Sequence, residues 1–404
     1  MRIIFIDMHC INFLVRTFKQ IRQNNKIATY KHKFILDYAM ANNIQICNFI
    51  SGKDTELPNK LRWLFKLNSK RKISLWEHNY VMRKSFNQKL DILAITSPED
   101  IKADDIVIGY FYKETQLETI KGLPGHKMIM GNHFVATNHP VDLDSLGIEG
   151  FINEIDLSDN AFVNKYINFS GKHIVCPYIF APRFKDNLPA KRINKMMAIG
   201  TLSTCKGNPG YALYREMYHT EWIQLMRKEI FDKAGQYPEY MDSYISYIYE
   251  DKVEIKKDDP AITKLIKKAI NKFKPWRQTK YMSFNMVEKF NEYLFFSCPE
   301  ETVGMPGIGF VEGMACGTAY IGAEAGYYRK LGLIPGIHYI AYDGSFGDLL
   351  LKIKNCQDNV DEVKKIAAAG KDFVRKNFNN EKVASDLFAE FRKIVSGGHM
   401  NLHE

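Results

Sequence analysis

SCPEETVGMPGIGFVEGMACGTAYIG, residues Ser297–Gly322, is the stretch whose reading decides the fold. The apolar run Tyr293–Phe296 leads into a loop built on Pro299, Gly304, Pro306, Gly307 and Gly309. An amphipathic run carrying Glu312 follows, and Gly317 closes it before the β-prone TAYIG. The pattern predicts strand, glycine loop, short helix and strand, one βαβ unit whose loop opens a helix. Such a loop suits a phosphate, because glycines let backbone N–H groups approach closely and a helix N-terminus adds partial positive charge. The spacing is neither GxGxxG nor a Walker-type loop, so a tight turn stays open as the alternative.

Working outward, 404 residues exceed what one hydrophobic core usually serves, and two domains are expected. Charged residues at 25% and hydrophobic ones at 46% describe a soluble globular chain. No apolar run reaches the roughly 18 residues that span a bilayer, and Asp7 breaks the opening MRIIFID too early for a signal peptide. The expected location is cytoplasmic, with peripheral contact on the inner membrane. The seven cysteines are scattered singly with no CxxC pair, which favours reduced thiols over a disulfide framework or a structural zinc site. A formal charge of +10 implies an anionic partner, which charge alone does not choose among nucleic acid, anionic membrane and phosphorylated substrate.

In chain order, a strand over 1–7 runs into a helix expected over 9–23, and further strands follow at 44–50, 93–96, 106–110, 127–130 and 173–176. This alternation predicts a parallel sheet with helices on both faces. Residues 60–72, KLRWLFKLNSKRK, carry six basic residues and no acidic one among aromatics and leucines. They suit an anionic membrane or nucleic acid, or a helix with one solvated basic side. His133, in GNHF directly after a strand, is placed for chemistry at the carboxyl end of the sheet; a loop histidine bonded to backbone is the alternative. Asp142-Leu143-Asp144 has a metal-binding spacing but reads as a turn. A proline-rich linker precedes MMAIGTLSTCKGNPG, where a strand ends at Gly200 and Lys206-Gly207 follow, opening a second α/β domain. Lys206 suits a phosphate, or plain solvation. Residues 208–280 read as helical and aromatic-rich. Within them 261–273 is amphipathic and basic, with its apolar face expected to pack on the sheet rather than lie on lipid. Helices are expected over 360–376 and 379–395, before a disordered tail.

Several of these elements, in this order, resemble the retaining glycosyltransferases of family four. Gly200-Thr201 and Lys206-Gly207 hold the spacing with which that family opens its second domain. Gly307, Glu312 and Gly313-Met314-Ala315-Cys316-Gly317 match its later loop, glutamate and AMAxG-like run, and Phe378 its phenylalanine before the last helix. The resemblance is good over 195–207 and 286–395, faint in the N-terminal domain and absent over 208–280. It implies a GT-B fold: two Rossmann-like, doubly wound α/β domains facing a central cleft, over 1–185 and 186–376. A helical insertion would occupy about 208–280, the helix 377–395 would pack back on the first domain, and 396–404 would be the tail.

The resemblance also implies roles. Lys206 would neutralise a donor pyrophosphate, the N–H groups around Gly307, Ile308 and Gly309 would hold it, and Glu312 would take the ribose hydroxyls. Gly200, Thr201, Gly304 and Glu301 would complete the donor site, and His133 would lie near the sugar. No metal and no cofactor is implied; the nucleotide sugar, a UDP-sugar by expectation, is a substrate. Two departures stand out: Gly304 occupies the place of the family's first glutamate, and Thr201 that of its arginine. Glu300 or Glu301 would have to supply the acid, and a lysine or arginine from 208–280 the charge. The expected activity is transfer of a galactose- or glucose-type hexose to a bacterial surface glycan such as O-antigen, lipopolysaccharide or capsule, beside an anionic inner-membrane surface. The alternative is a non-catalytic GT-B protein that binds nucleotide or glycan and supports a partner transferase. A nucleic-acid partner rests on charge alone and is not expected.

Overall fold

The computed structural model describes residues 1–22, 31–53, 70–86, 92–131, 139–247, 259–273 and 284–397. His133, residues 60–69 of the basic segment and the tail 398–404 lie outside them. The chain forms two compact units, one of residues 1–181, 208–218 and 375–404, the other of residues 182–207 and 219–374.

The first unit is built on seven parallel strands, β1 (Ile3–Ile6), β2 (Ile46–Phe49), β3 (Ile92–Ile95), β4 (Ile106–Tyr110), β5 (His126–Met130), β6 (Gly150–Asn153) and β7 (Lys172–Val175), in the order β3-β2-β1-β4-β5-β6-β7. The central strands β1, β2 and β4 are buried along their whole length, which is why β1 and β4 read as unbroken apolar runs rather than alternating ones, with Asn48 the one polar residue of β2. Helix α1 (Lys33–Ala41) adds Phe34, Ile35, Leu36 and Ala39 to this core. Helix α2 (Lys70–Ser85) also belongs to the unit. The last helix, here labelled α9 (Asn380–Val395), contributes Val383, Ala384, Leu387, Phe388 and Phe391 to the same core, with Phe388 5.0 Å from Tyr38 of α1.

Two expectations fail here. The helix expected over 9–23 is instead one 3-10 turn, Met8–Cys10, and a short helix, Phe18–Arg22. Asp7 adopts a left-handed conformation (φ 45°), its carboxylate accepts the Ser51 N–H at 3.0 Å, and the Met8 N–H goes to Asn48 Oδ1 at 2.8 Å. These polar ties turn the chain out of a continuous helix. Strand β6 was not anticipated, because Gly150 lowers strand propensity. Glycine is needed there: a Cβ would lie 2.4 Å from Met128 Sδ on the neighbouring strand.

The second unit holds five parallel strands, β8 (Ile193–Ala198), β9 (Met241–Ser243), β10 (Tyr293–Ser297), β11 (Ala319–Ala323) and β12 (Ile340–Tyr342), in the order β9-β8-β10-β11-β12. Its helices of seven residues or more, among the described residues, are α3 (Leu225–Lys233), α4 (Ala261–Phe273), α5 (Met286–Glu292), α6 (Gly309–Ala315), α7 (Phe346–Asp358) and α8 (Val360–Asn377). The all-helical reading of 208–280 is corrected by β9, a three-residue edge strand too short to show a period. The proline-rich segment before β8 is held firmly. The Arg192 guanidinium donates to the carbonyls of Phe290, Tyr293 and Cys316 and to Asp186 Oδ1, all within 3.1 Å. Asp186 in turn packs where a Cβ on Gly317 would sit, 2.6 Å away, so the glycine closing α6 is required by space as well as by its φ of +71°.

Three histidines of the first unit are buried and neutral. Burial pushes His9 down to about 3, helped by nearby His78 and Lys113, and takes His32 and His78 to about 4. These values lie below that of an unfolded histidine, so between pH 6.5 and about 4 the unfolded chain binds more protons and stability falls with pH. Buried Glu154 is raised and opposes this over part of the window, but one carboxyl faces three imidazoles. Urea unfolding of the full chain is expected to weaken from pH 7 to pH 5, with a slope of up to about 1.4 kcal/mol per pH unit for each histidine. An unchanged midpoint over that range contradicts this assignment.

Candidate functional site

In an open parallel sheet, ligands bind beyond the carboxyl ends of strands, where the chain's direction of winding reverses. In the second unit that point lies between β8 and β10, because the chain leaves β8 for β9 on one side and β10 for β11 on the other. The loop after β8 carries Gly200 and Thr201, and the loop after β10 runs from Cys298 to Ile308. Both close on one side chain from α3. Arg227, 1% exposed, donates from Nε to Pro299 O at 2.8 Å, from Nη1 to Thr201 O at 2.9 Å, and from Nη2 to Glu301 Oε1 at 2.7 Å. A Cβ on Gly200 (φ +144°) would stand 2.7 Å from Arg227 Nε, and one on Gly307 3.0 Å from Nη2. The two glycines therefore make room for the guanidinium.

The loop conformation is strained. Val303 and Gly304 sit in succession at positive φ, 55° and 77°, and for a β-branched residue this costs on the order of 1–3 kcal/mol. Backbone bonds from Glu301 N to Met305 O (2.7 Å) and from Met305 N to Thr302 O (3.2 Å) hold the turn. Beyond it, the N–H groups of Gly307 and Ile308 donate to no described residue, although Gly307 is buried. N–H groups so placed can donate to water or to an acceptor such as a phosphate oxygen.

The carboxylates divide by what already engages them. Glu301 accepts from Arg227 at one oxygen and from Gln224 Nε2 (3.1 Å) at the other, while Gln224 Oε1 accepts the Ser203 N–H at 3.0 Å. Glu300 accepts from Ala323 N and the Tyr328 hydroxyl, both at 3.1 Å, and lies 3.4 Å from the Tyr342 hydroxyl. Glu312 is half-buried in the first turn of α6. Burial pushes the Cys298 thiol up to about 12; Arg227 opposes the shift, and Glu301, Glu300 and Glu312 add to it. All three carboxylates thus act on one thiol, which stays neutral.

The structure brings Gly200, Thr201, Glu301 and Gly307 together on Arg227, and Gly309 against Cys298, where a Cβ would lie 2.8 Å from Sγ. Gly304 is exposed on the strained turn, and Ile308 is half-buried where α6 begins. Lys206 is 72% exposed, with Nζ 3.5 Å from Glu221 Oε2. Arg227 and Gln224 were not singled out from sequence, since QLMRKEIF shows two adjacent basic residues and nothing to rank them. Their i, i+3 spacing, which puts both on one helix face, was the available signal.

At the corresponding point of the first unit, between β1 and β4, His9, Cys10 and Glu77 have possible ligand atoms within 4.8 Å of one another. Asn48 decides their chemistry. Its carbonyl oxygen takes the Met8 N–H, so its amide nitrogen faces Nδ1 of His9 (3.1 Å) and of His78 (2.8 Å). Both Nδ1 atoms are then acceptors, the proton of His9 sits on Nε2, and that nitrogen is not a metal ligand. The cluster is a polar core.

No protein-family model and no curated protein matches the chain by sequence. Solved structures match by fold. HepE from Anabaena, solved with UDP and glucose, superposes with a TM-score of 0.52 at 12% identity, over 97% of this chain and 100% of that one. The same protein with UDP-glucose gives 0.50 at 13%, over 98% and 100%. Sucrose-phosphate synthase from Thermosynechococcus elongatus gives 0.49 at 10%, over 98% and 100%. The fold is α/β with two parallel, doubly wound sheets, matching GT-B glycosyltransferase structures such as HepE.

Removing one member of a buried ion pair leaves the other uncompensated. Arg227→Met is expected to lower the stability of the second unit by about 3 kcal/mol in urea unfolding. A loss below about 1 kcal/mol would show that the guanidinium does not hold the two loops.

Proposed function

We propose that the chain is a glycosyltransferase that takes a hexose from a nucleoside-diphosphate sugar, a uridine nucleotide first among them. It transfers the hexose, with retention, to a glycan acceptor of the surface-polysaccharide kind (O-antigen, lipopolysaccharide or capsule) carried at an anionic inner-membrane surface. The observation that carries the donor part is the convergence of Gly200, Thr201, Glu301 and Gly307 on one buried guanidinium at a winding reversal, followed by the N–H groups of Gly307 and Ile308, which donate to no described residue. That HepE, of like fold, was solved with UDP and with UDP-glucose supports a uridine nucleotide.

On this reading the bond from sugar to pyrophosphate breaks as the acceptor hydroxyl approaches, and negative charge grows on the leaving phosphate. The N–H groups of Gly307, Ile308 and Gly309 and the Lys206 ammonium then bind the transition state more strongly than the ground state. The contact of Lys206 with Glu221 is solvent-exposed and worth little, so the ammonium can exchange it for a phosphate. Glu312 offers two acceptor oxygens to the ribose, and His133 serves on the sugar side. Arg227 is a positioning residue: its charge is paired with Glu301 and its donors hold the loops, so it acts on the donor through them and not as a phosphate clamp. A non-catalytic nucleotide-binding protein is the second reading, favoured by the engagement of Glu300 and Glu301 in internal contacts. It predicts nucleotide binding with no transfer or hydrolysis.

A thermal-shift panel of nucleotide sugars tests the proposal. A uridine diphosphate sugar at a hundred times its Kd should stabilise the protein by about 2.7 kcal/mol, and Lys206→Ala should weaken binding about tenfold or more. No shift with uridine, guanosine or thymidine diphosphate sugars, together with no effect of Lys206→Ala, sinks it. Because Gly304 presents no side chain, UDP-glucose and UDP-galactose should differ in affinity by less than about a hundredfold.

A further inference from the structure

Helix α4 reverses the usual amphipathic arrangement. Its sequence, AITKLIKKAINKF, puts Ile262, Leu265, Ile266 and Ala269 on one face at i, i+3, i+4 and i+7. That face is turned to solvent: Ile262 is 75% exposed, Leu265 73% and Ile266 53%. Lys264 and Lys267, on the opposite side, are half-buried, with Lys267 paired to Asp259 at 2.8 Å. The apolar face expected to pack on the sheet is therefore the exposed one. Three large aliphatics on two turns make a continuous patch rather than the scattered apolar residues of an ordinary surface.

Charge selects what covers it. The helix carries Lys264, Lys267, Lys268 and Lys272 and no acidic residue, within a chain of net charge +10. An apolar face on a helix rich in lysine and without an acidic residue is the composition of a helix lying in a membrane interface: the aliphatics enter the acyl boundary and the positive charge favours anionic headgroups. We infer that the Ile262–Leu265–Ile266 face of α4 docks the protein on an anionic lipid surface. This deepens the membrane part of the function proposed above and is independent of its nucleotide part.

The test is flotation of the full chain with vesicles of phosphatidylcholine and phosphatidylglycerol, against vesicles of phosphatidylcholine alone. A triple variant, Ile262→Asp, Leu265→Asp and Ile266→Asp, changes exposed positions, and its fold is checked by circular dichroism. Wild type is expected to float with the anionic vesicles only, and the triple variant to bind at least about tenfold less. Lys264→Glu with Lys268→Glu should cost about fivefold for each lysine and make what binding remains less sensitive to salt. Equal flotation of wild type and triple variant, or equal flotation with neutral and anionic vesicles, overturns the assignment. So does a wild-type dimer in light scattering that the triple variant abolishes, since the face would then belong to a second copy. A nucleotide thermal shift on the same variants separates the two claims. Loss of flotation with the shift retained locates docking on α4, whereas flotation without any shift contradicts the donor site and leaves the docking intact.

Discussion

The pairing of Arg227 with Glu301 is the constraint on which the candidate site depends. A guanidinium buried to 1% exposure needs a partner charge and filled donors, and it finds them in Glu301, Pro299 O and Thr201 O. Meeting those needs draws the loops after β8 and β10 onto α3, requires glycine at 200 and 307, and holds the strained turn at Val303 and Gly304. The N–H groups that follow, which donate to no described residue, result from the same geometry, since a loop pinned at Pro299 and Glu301 presents Gly307 and Ile308 at the carboxyl ends of the strands.

Much of this was legible in the sequence. The apolar run Tyr293–Phe296, the glycine loop and the short helix bearing Glu312 appear as read, because each is a local signal: burial on both faces, backbone freedom and helical period. What could not be read was decided by long-range contact. Arg227 stands 74 residues from Glu301, and nothing local distinguishes it from Lys228, which pairs on the surface with Asp232. The same holds for β9, too short for a period, and for the 3-10 turn after β1, which depends on Asn48 some forty residues away. Helix α4 shows the limit from the other side: its amphipathic period was plain, but which face meets the protein is set by neighbours.

The first unit uses its winding reversal differently. There the end of β1 is filled by a buried polar cluster in which Asn48 fixes the tautomers of His9 and His78, and desolvation keeps both rings neutral. A cluster of that kind orders the chain after β1 without a ligand. In the second unit the N–H groups of Gly307 and Ile308, at the equivalent point, have no acceptor among the described residues.

Amide hydrogen exchange with and without UDP tests that contrast most directly. The account predicts that UDP slows exchange at Gly307, Ile308 and Gly309 while the amides around Met8 and His9 stay unchanged. Protection confined to the first unit, or none at Gly307–Gly309, would contradict it.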